Sequence, residues 1–163
     1  MKTLAAAVAA VSIIASLARP DAAVAQAQGP YPSVNIGGYA FSCTNFQGRQ
    51  VPIYFDRTIG DTAIARYFPD GRMFIAFNPD ATQWMSAPAL AFVFVHECMH
   101  HKFPGASESE VDCRAAAAVR QRGVITNYFQ LGEALRPFAN SPGSAAGHLP
   151  GYARIALIEQ CWR

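Results

Sequence analysis

The residues best suited to chemistry lie together in one short stretch, His96-Glu97-Cys98-Met99-His100-His101. His-Glu-x-x-His on a helix is a zinc-site signature, because residues four apart share a face and can offer two imidazoles to one ion. Glu97 lies about 100° round the helix from His96, at the rim of that face. It can reach a water beside the ion without being a ligand, which is the position of a general base. His101 points about 100° away from His100 and reads as a surface histidine at a helix end. The competing reading of the motif is a helix whose histidines are satisfied in the core or exposed.

The run before the motif, Ala87 to Val95, is apolar on nearly every side. A helix of that kind is buried. Ser86 is a candidate N-cap, Pro88 suits the first turn, and Pro104-Gly105 breaks the element, so the spacing predicts a helix over 87–102. Two imidazoles and a carboxylate at the end of a buried helix need partners, and a metal ion supplies them.

A catalytic zinc takes three protein ligands and a water, so one ligand must come from another element. The next segment, from Ser107 onward, starts with a capping-box pattern (Ser107, Glu110) and an alanine run that continues to about Arg122, where Gly123 ends it. Its acidic residues are Glu108, Glu110 and Asp112. Glu108 and Asp112 share a face, and Glu110 lies opposite with a capping role. Glu108 is therefore the expected third ligand. Asp112 is the expected acceptor for a histidine ring N–H, a contact that fixes the tautomer. Without the upstream motif, the same acids would read as ordinary decoration of a helix N-terminus.

The remaining elements must position these residues. Candidate strands are Tyr39–Thr44, Val51–Phe55, Asp61–Phe68 and Arg72–Phe77, with a turn at Pro69-Asp70-Gly71. Further helices are expected over 127–138, after a Thr126 cap, and 150–161, with a Ser/Gly/Pro/Ala loop over 140–147 between them. The fold class is α+β, with an antiparallel or mixed sheet packed on the motif helix and the Glu-bearing helix that follows.

The chain has 163 residues and a formal charge of +2 at pH 7. Residues 1–25 have the pattern of a secretory signal peptide: a basic start, an apolar stretch too short to span a bilayer, and Ala23-Val24-Ala25 before Gln26. Residues 26–38, rich in Gly, Pro and Ala without periodicity, read as a flexible leader, and 39–163 as a single domain. The near-neutral charge offers no basic stripe for nucleic acid, and no later segment is long enough for a stable membrane span. The expected location is therefore secreted or periplasmic. In that oxidising setting the four cysteines, Cys43, Cys98, Cys113 and Cys161, are expected as two disulfides. Cys98 faces away from the metal, which argues against a thiolate ligand; three pairings are possible, and Cys113–Cys161, tying two helices together, with Cys43–Cys98, tying the sheet to the motif helix, is preferred.

The combined pattern resembles the minigluzincin peptidases, the group that includes the CAAX prenyl proteases and their bacterial membrane and periplasmic relatives. His96-Glu97-Cys98-Met99-His100 and Glu108-Ser109-Glu110-Val111-Asp112 match the family's two helical motifs residue by residue. Ala63 to Phe68, Gly71 and Met73 to Asn78 look like its edge strand and following strand, although Thr62 stands where the family often has Asn. His148, followed by Pro150 and then Arg154-Ile155, is similar to a C-terminal family motif, with the proline one place late. The spacer from His100 to Glu108 is short for the family, and the transmembrane helices of its membrane members are missing.

The resemblance implies a zincin-like metallopeptidase with Zn2+ held by His96, His100 and Glu108, and Glu97 as the base that activates water. It implies Arg154 as donor to the developing oxyanion, and His148 as a second donor or a cap on the zinc in a resting state. An edge strand at Ala63, Ile64 and Ala65 would add an extended peptide to the sheet, giving a peptide or unfolded protein as substrate. The alternative function is a catalytically inactive, zinc-binding peptide-binding or chaperone-like module of the same fold. A disulfide-stapled domain without metal is the remaining alternative.

Overall fold

The computed structural model describes residues 27–145 and 147–162; the signal-peptide reading lies outside them. Among the described residues, eight strands precede five helices. The strands are β1 (Gln28–Tyr31), β2 (Val34–Ile36), β3 (Tyr39–Phe41), β4 (Cys43–Thr44), β5 (Gln50–Val51), β6 (Ile53–Phe55), β7 (Ala63–Tyr67) and β8 (Met73–Phe77). The helices are α1 (Pro79–Thr82), α2 (Ala87–Lys102), α3 (Glu108–Gln121), α4 (Tyr128–Leu135), continued by a 3-10 turn at Arg136–Phe138, and α5 (Gly151–Trp162). The class is α+β with a mixed sheet.

The main sheet has the order β1-β6-β8-β7. β6 and β8 run parallel, while β1 and β7 pair antiparallel with their neighbours. β2–β3 and β4–β5 form two small hairpins. The stretch 39–44 is thus split between two hairpins rather than forming one strand. Residues 28–36, where the sequence shows no periodicity, form β1 and β2. β1 is exposed along its whole length and takes its backbone partner from β6, so no side-chain pattern was needed to make it. It lies at the opposite edge of the sheet from β7.

α2 is the element on which the others pack. Ser86 Oγ accepts the Ala89 N–H, and Pro88 sits in the first turn, as the sequence implies. Phe94 stacks on Phe77 of the sheet at 6.1 Å and tilts against Phe41 at 5.4 Å. On its other sides α2 meets α3 and α4. No helix among the described residues is long and apolar enough to cross a membrane.

Two disulfides join the layers, Cys43–Cys98 between β4 and α2, and Cys113–Cys161 between α3 and α5. Both partners of each pair lie about fifty positions apart in sequence, and loops of that size favour folding by about 4 kcal/mol each in the chain-entropy picture. Such bonds persist in an oxidising environment.

Three local readings are corrected. α4 is capped by Asn127, whose side chain accepts the Gln130 N–H at 3.0 Å, while Thr126 bonds Gln130 Oε1. The box at Ser107 is half formed: its Oγ accepts the Glu110 N–H, but the Glu110 carboxylate turns outward to Arg114. His101 is not a surface histidine. It is 1% exposed because β8 covers this end of α2, and its Nε2–H donates to the Phe74 carbonyl at 2.9 Å.

The start of α5 is set by a close approach. A Cβ on Gly151 would stand 2.0 Å from the Phe138 carbonyl oxygen and 2.4 Å from that of Ala139. Gly151→Ala must therefore push α5 away from the 136–138 turn. We expect a loss of about 1–3 kcal/mol in urea unfolding, with the contacts of Arg154, one turn further on, disturbed. An unchanged midpoint would show that the approach is not needed.

Candidate metal centre

α2 carries His96 and His100 one turn apart, and α3 begins at Glu108, so its first turn faces them across a short connection. Three side-chain atoms converge there. His96 Nε2 lies 3.2 Å from His100 Nε2 and 3.2 Å from Glu108 Oε2, and His100 Nε2 lies 3.4 Å from the same oxygen. His96, His100 and Glu108 form a group that can hold a metal ion, and no other such group occurs among the described residues.

Glu108 Oε2 shows why an ion fits. It is buried, and no hydrogen bond of acceptable geometry reaches it, although three imidazole nitrogens stand within 2.7–3.4 Å. A buried carboxylate oxygen so placed has lone pairs for a cation shared with those nitrogens. Two imidazoles and one carboxylate are an ordinary donor set for a divalent transition metal.

The support behind His96 is buried and ionic. Asp112 is 2% exposed, and its Oδ1 lies 2.8 Å from His96 Nδ1. Accepting that ring N–H turns Nε2 toward Glu108, where its lone pair becomes available once the second proton leaves. Arg154 closes the group with a fork: Nε to Asp112 Oδ2 and Nη2 to Oδ1, both 2.7 Å. Its guanidinium also lies over the Phe138 ring at 4.9 Å. Burial raises the Asp112 carboxyl, but His96 and Arg154 outweigh it and hold the pKa below the usual range.

The other expected residues line one cleft of about 670 Å³. Glu97 is half-buried on its wall. Burial pushes its carboxyl pKa up, opposed by His96, His100 and a hydrogen bond from the Ala65 backbone. Ala63, Ile64 and Ala65 form the facing edge. His148 stands at the mouth, Nε2 2.7 Å from Glu108 Oε2 and Nδ1 3.0 Å from Ser144 Oγ. Glu110 stays outside the group, paired with Arg114.

Sequence reasoning gave no role to Ser144, which orients His148, or to Phe138, which supports Arg154. Phe138 ends the 3-10 turn after α4, and Ser144 lies in the segment that follows, where no periodicity marks a partner. The only legible cue was the Ser-rich composition around 141–144. Compared with protein-family models, curated proteins and solved structures, the chain matches none.

In the metal-free chain, burial works against the His96 cation, but Asp112 and Glu108 beside it prevail and hold its pKa up at about 9. The proton is therefore bound across the neutral range, and an entering ion must displace it. Metal affinity should rise by up to about tenfold per pH unit from neutrality toward 9 and then flatten, with net proton release. Calorimetric titration in buffers of different ionisation heat measures both quantities. An affinity independent of pH over that range would contradict the assignment of His96 as a ligand.

Proposed function

We propose that this chain is a zinc-dependent endopeptidase, zincin-like in fold, that cleaves extended or unfolded polypeptides outside the cytosol. One observation carries the reading. Tetrahedral zinc with bonds of about 2.0–2.1 Å sets its ligand atoms about 3.3 Å apart, and the three converging atoms are separated by 3.2, 3.2 and 3.4 Å. The resemblance to minigluzincin peptidases in the two helical motifs agrees with that metal. The two disulfides support a secreted or periplasmic setting.

Bound zinc supplies a Lewis acid and a water of near-neutral pKa. The chain's own residues do the rest. Glu97, its pKa raised by burial, takes a proton from the attacking water as the water oxygen bonds to the scissile carbonyl carbon. It then delivers that proton to the amine nitrogen as the carbon–nitrogen bond breaks. Asp112 and Arg154 keep His96 in one tautomer and orientation.

Arg154 was expected to touch the oxyanion. Its Nε and Nη2 are instead committed to Asp112, and we assign it to positioning His96. His148, at the mouth, is the donor with access to charge developing on the substrate carbonyl. It also stands where it closes the site at rest.

β7 holds the substrate. Thr62 and Phe68, at either end of it, bond inward to the partner strand through Asn78 N and Arg72 O. By strand alternation, the backbone groups of Ala63, Ala65 and Tyr67 face the edge; the Ala65 N–H is taken by Glu97, which leaves its carbonyl and the groups of Ala63 and Tyr67 for pairing. An added strand would pair there without reading sequence.

The Glu97→Gln variant tests the role of the base. It should keep its fold and its zinc while turnover falls by about 10²–10⁴. Retention of most activity would remove Glu97 from that role. Glu108→Ala should lower zinc occupancy, whereas Glu110→Ala should cost only about 0.3–1 kcal/mol of helix stability. The reverse pattern would move the third ligand to Glu110.

A further inference from the structure

Beyond Tyr67 the cleft does not end. A second groove, of about 750 Å³, opens between the loop of the β4–β5 hairpin and the Phe68–Arg72 turn, and Tyr67 and Pro104 line both spaces. Its walls combine aromatic surface with cations. Phe46 is 54% exposed and Tyr67 53%, high values for rings that have apolar neighbours within reach. Phe68 forms the floor, with the Arg72 guanidinium 5.2 Å from its ring centroid.

The groove is built rigidly onto the metal-bearing helix. Asn45 Oδ1 accepts the N–H groups of Gln47 and Arg49, which closes the hairpin loop. The Phe46 N–H donates to the His101 carbonyl at 3.0 Å, next in sequence to His100. Cys43, at the base of the same hairpin, is disulfide-bonded to Cys98. Phe46 is therefore held at a fixed distance from the metal centre.

The charge of the groove is one-sided. Arg72 is neutralised by Asp70, Nε to Oδ2 at 2.7 Å. Arg49 has no ion-pair partner among the described residues, and neither does Arg66, which lines the adjoining cleft beside Tyr67. An occupant that carries a carboxylate and an aromatic ring would satisfy this surface.

The register says which part of a peptide would enter. Ala65 faces Glu97, and Tyr67 lies two residues, about 7 Å, further along the strand. Antiparallel pairing is the more stable way to add a strand to an edge. It would run a peptide from Tyr67 toward Ala63, placing its N-terminal part at the groove. At Phe68 the edge ends, because its carbonyl accepts the Gly71 N–H in the turn and Pro69, which has no N–H, follows. Backbone pairing stops there and side chains take over.

We propose that this groove is a specificity site of the peptidase for an aromatic residue and a carboxylate placed three to four residues N-terminal to the scissile bond. The inference rests on the peptidase reading, and it adds a sequence preference to an edge that reads none. The test measures binding, so that it stands apart from turnover. Fluorescein-labelled decapeptides carry a Phe-Asp pair at those N-terminal positions, the same pair on the C-terminal side, or Ala-Lys. Each is titrated by anisotropy onto the zinc-loaded Glu97→Gln protein.

The N-terminal Phe-Asp peptide should bind about tenfold tighter than either of the others. Adding Arg49→Glu should abolish that gain and shift the preference toward Lys, and adding Phe46→Ala should weaken binding of Phe-Asp alone. Both side chains are exposed, so both variants should fold. Equal affinity for the three peptides, or a preference that survives both substitutions, would overturn the proposal. A preference that follows the groove while the wild-type protein cleaves none of the peptides would leave the groove standing and count against the peptidase reading.

Discussion

An ionised carboxylate taken out of water costs several kcal/mol unless it is paired, and the position of Asp112 makes that cost the constraint on everything around it. The side chain is 2% exposed and meets His96 on one side and Arg154 on the other. Those three residues come from three helices, α3, α2 and α5. Moving any of the helices would break the ionic group, and removing one partner would leave a buried charge at a cost of about 3–5 kcal/mol. The same group turns His96 so that its other ring nitrogen faces His100 and Glu108. Stability and site geometry are therefore set by one interaction.

The surrounding features serve that arrangement. Gly151 lets α5 come close enough for Arg154 to reach Asp112 across 42 positions of sequence. Cys113–Cys161 ties α3 to α5 next to Asp112, and Cys43–Cys98 fixes the far face of α2 to the β4–β5 hairpin. On the sheet side, Phe77 and Phe94 set the depth at which α2 lies under β7 and β8. Glu97 is left between a wall that raises its pKa and the strand edge, where the Ala65 backbone bonds its carboxylate.

Local signals in the sequence were enough for the parts of this architecture that depend on local chemistry. Ser86, Pro88 and Pro104-Gly105 delimit α2 at the expected residues, because caps and breakers act within one turn. The i, i+4 spacing placed His96 with His100 and Glu108 with Asp112, since helix geometry alone decides which residues share a face. What was not legible depends on distant partners. β1 exists because β6 offers it an edge, and nothing in Gln28–Tyr31 announces that. His101 is buried because β8 happens to cover the end of α2. Arg154 could be found only through a family resemblance, and its engagement with Asp112 follows from the packing of α5, which no spacing rule contains.

The most direct test is the metal content of the purified protein, measured together with its cleavage of unfolded casein before and after a chelator. A zinc peptidase would hold one zinc per chain, stop cleaving when the chelator removes it, and recover when zinc alone is returned. Protein purified without chelator that is folded and disulfide-bonded but holds no zinc, and takes none up, would contradict that reading.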